Sequence, residues 1–147
     1  MRSLLLAAFA AVLVTGAASA APARPTTVRL TGGRVAKVPA SAPNTAAFFV
    51  LHNPGPKPVA LVKASTPAAD ATELHEMRTA GGKAQMRMVQ RIEIPARDSV
   101  ALAPGGTHVM LIGLKAPLPA GTRVPLRLAF SDRTTLDVEL EVRSAYE

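Results

Sequence analysis

Residues 123–143 read RVPLRLAF-SDR-TTLDVELEVR, and this stretch decides the fold. Leu126, Leu128 and Phe130 alternate with Arg127 and Ala129. After Ser131-Asp132-Arg133, Leu136, Val138, Leu140 and Val142 alternate with Asp137, Glu139 and Glu141. Side chains two apart on a strand share a face, so this period of two predicts a hairpin with one buried and one solvated side. Helix is disfavoured along the rest of the chain. Thirteen prolines run from Pro22 to Pro125 and, with the glycines, cut it into short pieces. Working back from the hairpin, short strands are expected at 34–38, 46–52, 59–65, 72–79, 84–90, 99–103 and 107–112. Asn53-Pro54-Gly55, Gly81-Gly82, Pro104-Gly105-Gly106 and Pro119-Ala120-Gly121 supply turns between them. Many short strands at this spacing predict a single all-β domain, an antiparallel sandwich or barrel. Residues 21–26 read as a loose leader into it.

The first twenty residues have another purpose. Met1-Arg2 is a basic start, residues 4–14 are unbroken apolar, and Ala18-Ser19-Ala20 is an A-x-A cleavage site. That is the layout of a secretory signal peptide, too short to span a bilayer. Cleavage near Ala20 leaves residues 21–147 as the expected mature domain. No later run approaches eighteen apolar residues, so the expected product is exported and not integral to the membrane. The formal charge is +7, or +6 once Arg2 is lost. The cations are mostly single Arg residues, which suits a soluble basic face. Nucleic acid is not an expected partner for an exported chain with four aromatics after residue 20. The absence of cysteine excludes disulfides, thiolate zinc sites, iron–sulfur clusters and thiolate copper centres. No Ser sits in a G-x-S-x-G elbow, and no other group suggests catalysis. A non-enzymatic protein without catalytic or organic-cofactor residues is expected.

The His and Met residues are informative by placement. Six of them form three i, i+2 pairs: His75/Met77, Met86/Met88 and His108/Met110. Each pair projects two donors to one side of a strand. A two-residue turn at Gly81-Gly82 would set Ala80 against Lys83, Met77 against Met86 and His75 against Met88. The same register sets Glu76 against Arg87 on the other face. A loop at 104–106 would present His108 and Met110 at the rim of the sheet. Thioether sulfur is soft and uncharged; with imidazole it suits Cu(I) and serves Zn, Mg or Ca poorly. Taken singly, a Met fills core gaps and a strand His is a hydrogen-bonded or surface residue. At this point the packing and metal readings both stand. His52, ahead of Asn53-Pro54-Gly55, reads as a strand-end surface residue.

The spacing is identified as a resemblance to the periplasmic PCu(A)C-type copper chaperones. His75, ten residues, Met86, twenty-one residues, His108, one residue, Met110 matches that family's signature, with Met77 at its optional position. The flanks 73–77, 86–88, 104–111 and 113–118 are similar too, and the resemblance runs from about residue 27 to 142. It implies a cupredoxin-like Greek-key β-sandwich holding one Cu(I) through His75, Met86, His108 and Met110, with Met77 and Met88 as auxiliary donors. It also implies delivery of copper toward the dinuclear centre of cytochrome c oxidase subunit II, alongside a thiol-bearing copper-assembly protein. Residues 143–147 contain no His or Met, so the second Cu(II) tail site of some members is not expected. Copper sequestration without a dedicated acceptor, and a metal-free interaction module, are the competing functions.

Overall fold

The structure, a computed structural model, describes residues 22–147; the expected signal peptide lies outside the described residues. Eleven strands follow one another with no helix among those residues. They are β1 (Arg24–Pro25), β2 (Arg29–Ala36), β3 (Asn44–Asn53), β4 (Val59–Ser65), β5 (Ala69–Ala80), β6 (Lys83–Val89), β7 (Ile92–Ile94), β8 (Asp98–Leu102), β9 (His108–Leu114), β10 (Arg123–Phe130) and β11 (Thr134–Arg143). The hairpin forms as the alternation predicts, with Leu126 opposite Val138 and Leu128 opposite Leu136. Arg133 turns the corner with φ of 66°.

The hydrogen-bonded order is β6-β5-β9-β3-β2-β11-β10-β4-β7, with β8 added to β3 and β1 to β11. This sheet folds over on itself. Phe49 and Leu51 of β3, Val109 and Leu111 of β9, Leu61 of β4, Leu128 of β10 and Val142 of β11 meet in one apolar cluster. Burying that alternating face is the main stabilising term, at about 25 cal/mol per Å2 of apolar surface removed from water. The result is the expected all-β sandwich, with the non-sequential strand order of a Greek key. Most contacts are antiparallel, but β11 pairs in parallel with both β2 and β1.

The loose leader expected at 21–26 is corrected by β1, where Arg24 and Pro25 pair with Thr134 and Thr135. Two residues are too few to show a period. β2 begins at Arg29 rather than Arg34, because Gly32-Gly33 is a bulge inside a strand and not a break before one. Gly32 has φ of 62°, and the register with β3 shifts between Thr31 and Arg34. A Cβ on Gly33 would lie 2.5 Å from Cδ2 of Leu140 and 2.8 Å from Cδ2 of Leu30, so both leucine side chains would have to shift to admit one there. β7 was not foreseen; its three residues bury Ile92 and Ile94 against β4.

Candidate metal centre

The β5–β6 hairpin builds the first half of the site. Gly81 and Gly82 take φ of 57° and 76°, the left-handed pair that a tight two-residue turn requires. Ala80 therefore faces Lys83, Met77 faces Met86 and His75 faces Met88, as the sequence predicts. On the other face Glu76 accepts from Arg78 Nε at 2.7 Å and from Arg87 Nε and Nη2 at 3.0 and 2.8 Å. Arg78 chiefly, then Arg87, holds this carboxyl below the usual carboxylate range. The sign follows: the pair supports the hairpin above the ordinary carboxylate pKa and loses that support as pH falls through the lowered one. The protection of β5–β6 amides, taken relative to their intrinsic exchange rates, should fall in acid, and Glu76→Gln should abolish that fall.

β9 supplies the second half. It lies between β5 and β3, so that His108 faces His75, Met110 faces Glu73 on one side, and Met110 faces Ala46 on the other. This corrects the expectation that a loop presents His108 and Met110 at the rim of the sheet. Both residues belong to a strand with neighbours on either side, and His108 is only 4% exposed. The loop instead orients the histidine. Gly105 turns with φ of 79°, Gly106 N–H donates to Ala103 O, and Ala103 N–H donates to Thr107 O. That leaves Gly106 O to accept from His108 Nδ1 at 2.9 Å. A carbonyl only accepts, so Nδ1 carries the proton and Nε2 keeps its lone pair.

By alternation, Glu73, His75, Met77, Met86, Met88, His108 and Met110 share one face of β6-β5-β9, opposite to the face that carries Leu74 and Val109 into the core. The His75 and His108 rings lie 5.8 Å apart between centroids, and Phe48 packs 6.2 Å from His108. Met77, Met86, His108 and Met110 line a cavity of 310 Å3 together with Phe48 and Tyr146. The C-terminal segment reaches this cavity because Ala145 O accepts from Arg34 Nε and Nη2 at 3.1 and 2.6 Å, while the Arg34 guanidinium lies 5.6 Å from the Phe48 ring centre.

Not every predicted donor is equally placed. His75 reaches the site through its ring contact with His108 rather than by lining the cavity. Its Nε2 donates to Glu73 Oε2 at 2.7 Å, and its Nδ1 is buried with no hydrogen-bond partner. Met88 is 62% exposed and borders a separate depression beside Glu73 and Gln90. Met77, by contrast, lies on the cavity with Met86 and Met110. His52 stands apart on β3, its Nε2 2.7 Å from Thr31 Oγ1 and its Nδ1 2.9 Å from Ser99 Oγ. Both of its nitrogens are thus engaged by hydroxyls. Glu73, Phe48, Arg34 and Tyr146 are the site residues that the sequence did not disclose. Glu73 alone carried a usable signal, being two residues before His75 on the same strand.

Donor chemistry selects this cavity over a larger one. A hollow of 640 Å3 over β10 and β11 is lined by Leu126, by the Arg127–Asp137 ion pair and by Ser65, without imidazole or thioether. Among the described residues no three His, Cys, Asp or Glu side chains come together. The residues at the 310 Å3 cavity fit a soft cation: thioethers line it, and two neighbouring imidazoles each keep a ring nitrogen free of protein partners.

The fold is that of solved PCuAC domains. The copper-bound PCuAC domain from PmoF2 superimposes with a TM-score of 0.69 at 16% identity, over 82% of this chain and 95% of that one, a likeness of fold alone. DR1885 from Deinococcus radiodurans is closer in sequence. Its apo solution structure is 38% identical over 98% of this chain and 97% of that one, with a TM-score of 0.63. Its Cu(I) form is 40% identical over 88% and 84%, with a TM-score of 0.66. Residues 28–142 match the family model described as "Putative lipoprotein LpqE-like", and the chain belongs to this LpqE-like family. It is also 42% identical over 100 residues to the "Putative lipoprotein Lxx21020" of Leifsonia xyli subsp. xyli, an overlap of 67% of this chain and 60% of that one. The chain thus spans about three fifths of the length of this curated relative.

Proposed function

We propose that this protein is a periplasmic Cu(I) metallochaperone, a binding and transfer protein, and that His75, Met86, His108 and Met110 hold the ion. The observation that carries the proposal is the shared face of β6-β5-β9. It gathers two imidazoles, each with one ring nitrogen hydrogen-bonded to protein and the other left over, beside thioethers that line a single cavity. Four neutral ligands leave the site with only the charge of Cu(I), which favours holding copper without the grip of a thiolate. Half-exposed Met86 leaves one side of the site open for an acceptor to approach. The likeness to DR1885, whose Cu(I) form has been solved, supports the choice of ion. Export through residues 1–20 would place the domain beside its acceptor. That acceptor is the dinuclear copper centre of cytochrome c oxidase subunit II, with a thiol-bearing assembly protein sharing the task.

Donor softness makes the first test. The domain should retain about one Cu(I) per chain against a moderate chelator and release Zn(II) to the same chelator. Equal retention of the two ions would refute the site. Because a ligating imidazole must shed its proton, Cu(I) affinity should also weaken in mild acid, whereas a site of thioethers alone would be indifferent. Delivery is tested in cells lacking the protein. Loss of oxidase activity at low copper supports a carrier; sensitivity to excess copper with normal oxidase would mean sequestration instead.

A further inference from the structure

We infer that Glu73 is a positioning residue for the metal centre: it fixes the His75 tautomer, so that His75 offers Nδ1 to the ion while His108 offers Nε2. This rests on the copper reading above and adds a residue outside its ligand set. The inference starts from proton arithmetic. A carboxylate only accepts, so the 2.7 Å contact with Glu73 Oε2 requires the proton on His75 Nε2. Neutral His75 then carries its lone pair on Nδ1, the ring atom that is buried without a partner. A buried acceptor left unpaired is costly, and coordination of a cation is the use that removes the cost. His108 is fixed in the opposite sense, with its Nδ1 proton spent on Gly106 O. The two rings thus face each other across β5 and β9 as opposite tautomers, each held by an acceptor of its own.

The strand explains how Glu73 comes to act on its neighbour. Residues 73 and 75 are two apart on β5 and share a face, so the carboxylate reaches the ring without a turn or a distant element. Its side chain is 37% exposed against 13% for His75, which places the charge at the solvent edge and the imidazole beneath it. Outer hydrogen bonds of this kind orient ligating histidines and raise their basicity, and their removal lowers metal affinity 10- to 100-fold.

Two measurements on the whole exported domain test the inference. In the metal-free protein near neutral pH, nitrogen–proton NMR correlations should show His75 protonated on Nε2 and His108 on Nδ1. In Glu73→Leu the His75 signals should lose that single-tautomer pattern while those of His108 stay, with unchanged circular dichroism. Against a Cu(I) chelator, Glu73→Leu should bind about 10- to 100-fold more weakly than the parent. Glu73→Gln, whose amide oxygen still accepts from Nε2–H, should restore affinity to within a few-fold. A His75 proton on Nδ1, or parental affinity in Glu73→Leu, would overturn the inference. So would equal loss in Glu73→Gln, which would mean that the carboxylate acts by charge or as a ligand. Failure of the parent itself to hold Cu(I) would strike the copper proposal instead, and the metal-free NMR spectrum judges the tautomer separately.

Discussion

Met110→Leu should fold like the parent and lose Cu(I) at least tenfold more readily to a chelator, a deficit of about 1.4 kcal/mol or more. Leucine nearly matches methionine in volume, and such swaps usually cost less than about 1.5 kcal/mol even in a core. Only the sulfur is removed. Met110 faces Glu73 and Ala46 across its neighbouring strands, so no second thioether stands opposite to take its place. Met86→Leu should show a smaller loss, because Met77 faces it and lines the same cavity. Met88→Leu is the control, exposed and bordering a different depression. Chelator competition on the four proteins separates ligand from packing: parental retention in Met110→Leu would leave that residue a packing group only.

Phe49→Ala should have the largest effect on folding, about 3–5 kcal/mol. Phe49 is 1% exposed in the middle of β3, the strand that pairs with β2, β8 and β9 at once. For a domain of this size that is a fall in Tm of roughly 10–25 °C, from a total stability that is itself only about 5–15 kcal/mol. The neighbouring Phe48 lies on the other face, against His108, so the candidate metal centre keeps its own residues. Cu(I) binding to the folded form should therefore still raise Tm, by linkage worth about 2.7 kcal/mol at a hundred times Kd. Scanning calorimetry with and without Cu(I) checks both statements. A Tm within a few degrees of the parent would mean that the core does not depend on β3.

The parts of the fold legible in the sequence are those where one local signal suffices. The 126–142 alternation gave β10 and β11 because each strand has one wet face, and Gly81-Gly82 gave the β5–β6 register because two left-handed residues permit only a tight turn. Parallel pairing of β11 with β2 and β1 was not legible, since it depends on strands distant in sequence. Neither was the Gly32-Gly33 bulge, where the strand passes close to Leu140 over a hundred residues away. The same division runs through the site. Spacing gathers His75, Met77, Met86 and Met88 on one ribbon, but only the β5–β9 register brings His108 beside His75. The approach of the C-terminal segment to the cavity, with Ala145 held by Arg34, is a tertiary contact with no local mark.

X-ray absorption at the copper edge of the Cu(I)-loaded domain tests the central claim most directly. Imidazole nitrogen and thioether sulfur scatter differently, and the proposed centre predicts both in the first shell, two of each. Met110→Leu should then lose a sulfur and His108→Ala a nitrogen, each in an otherwise folded protein. A parent spectrum with nitrogen or oxygen neighbours only, or one unchanged by both substitutions, would contradict the account.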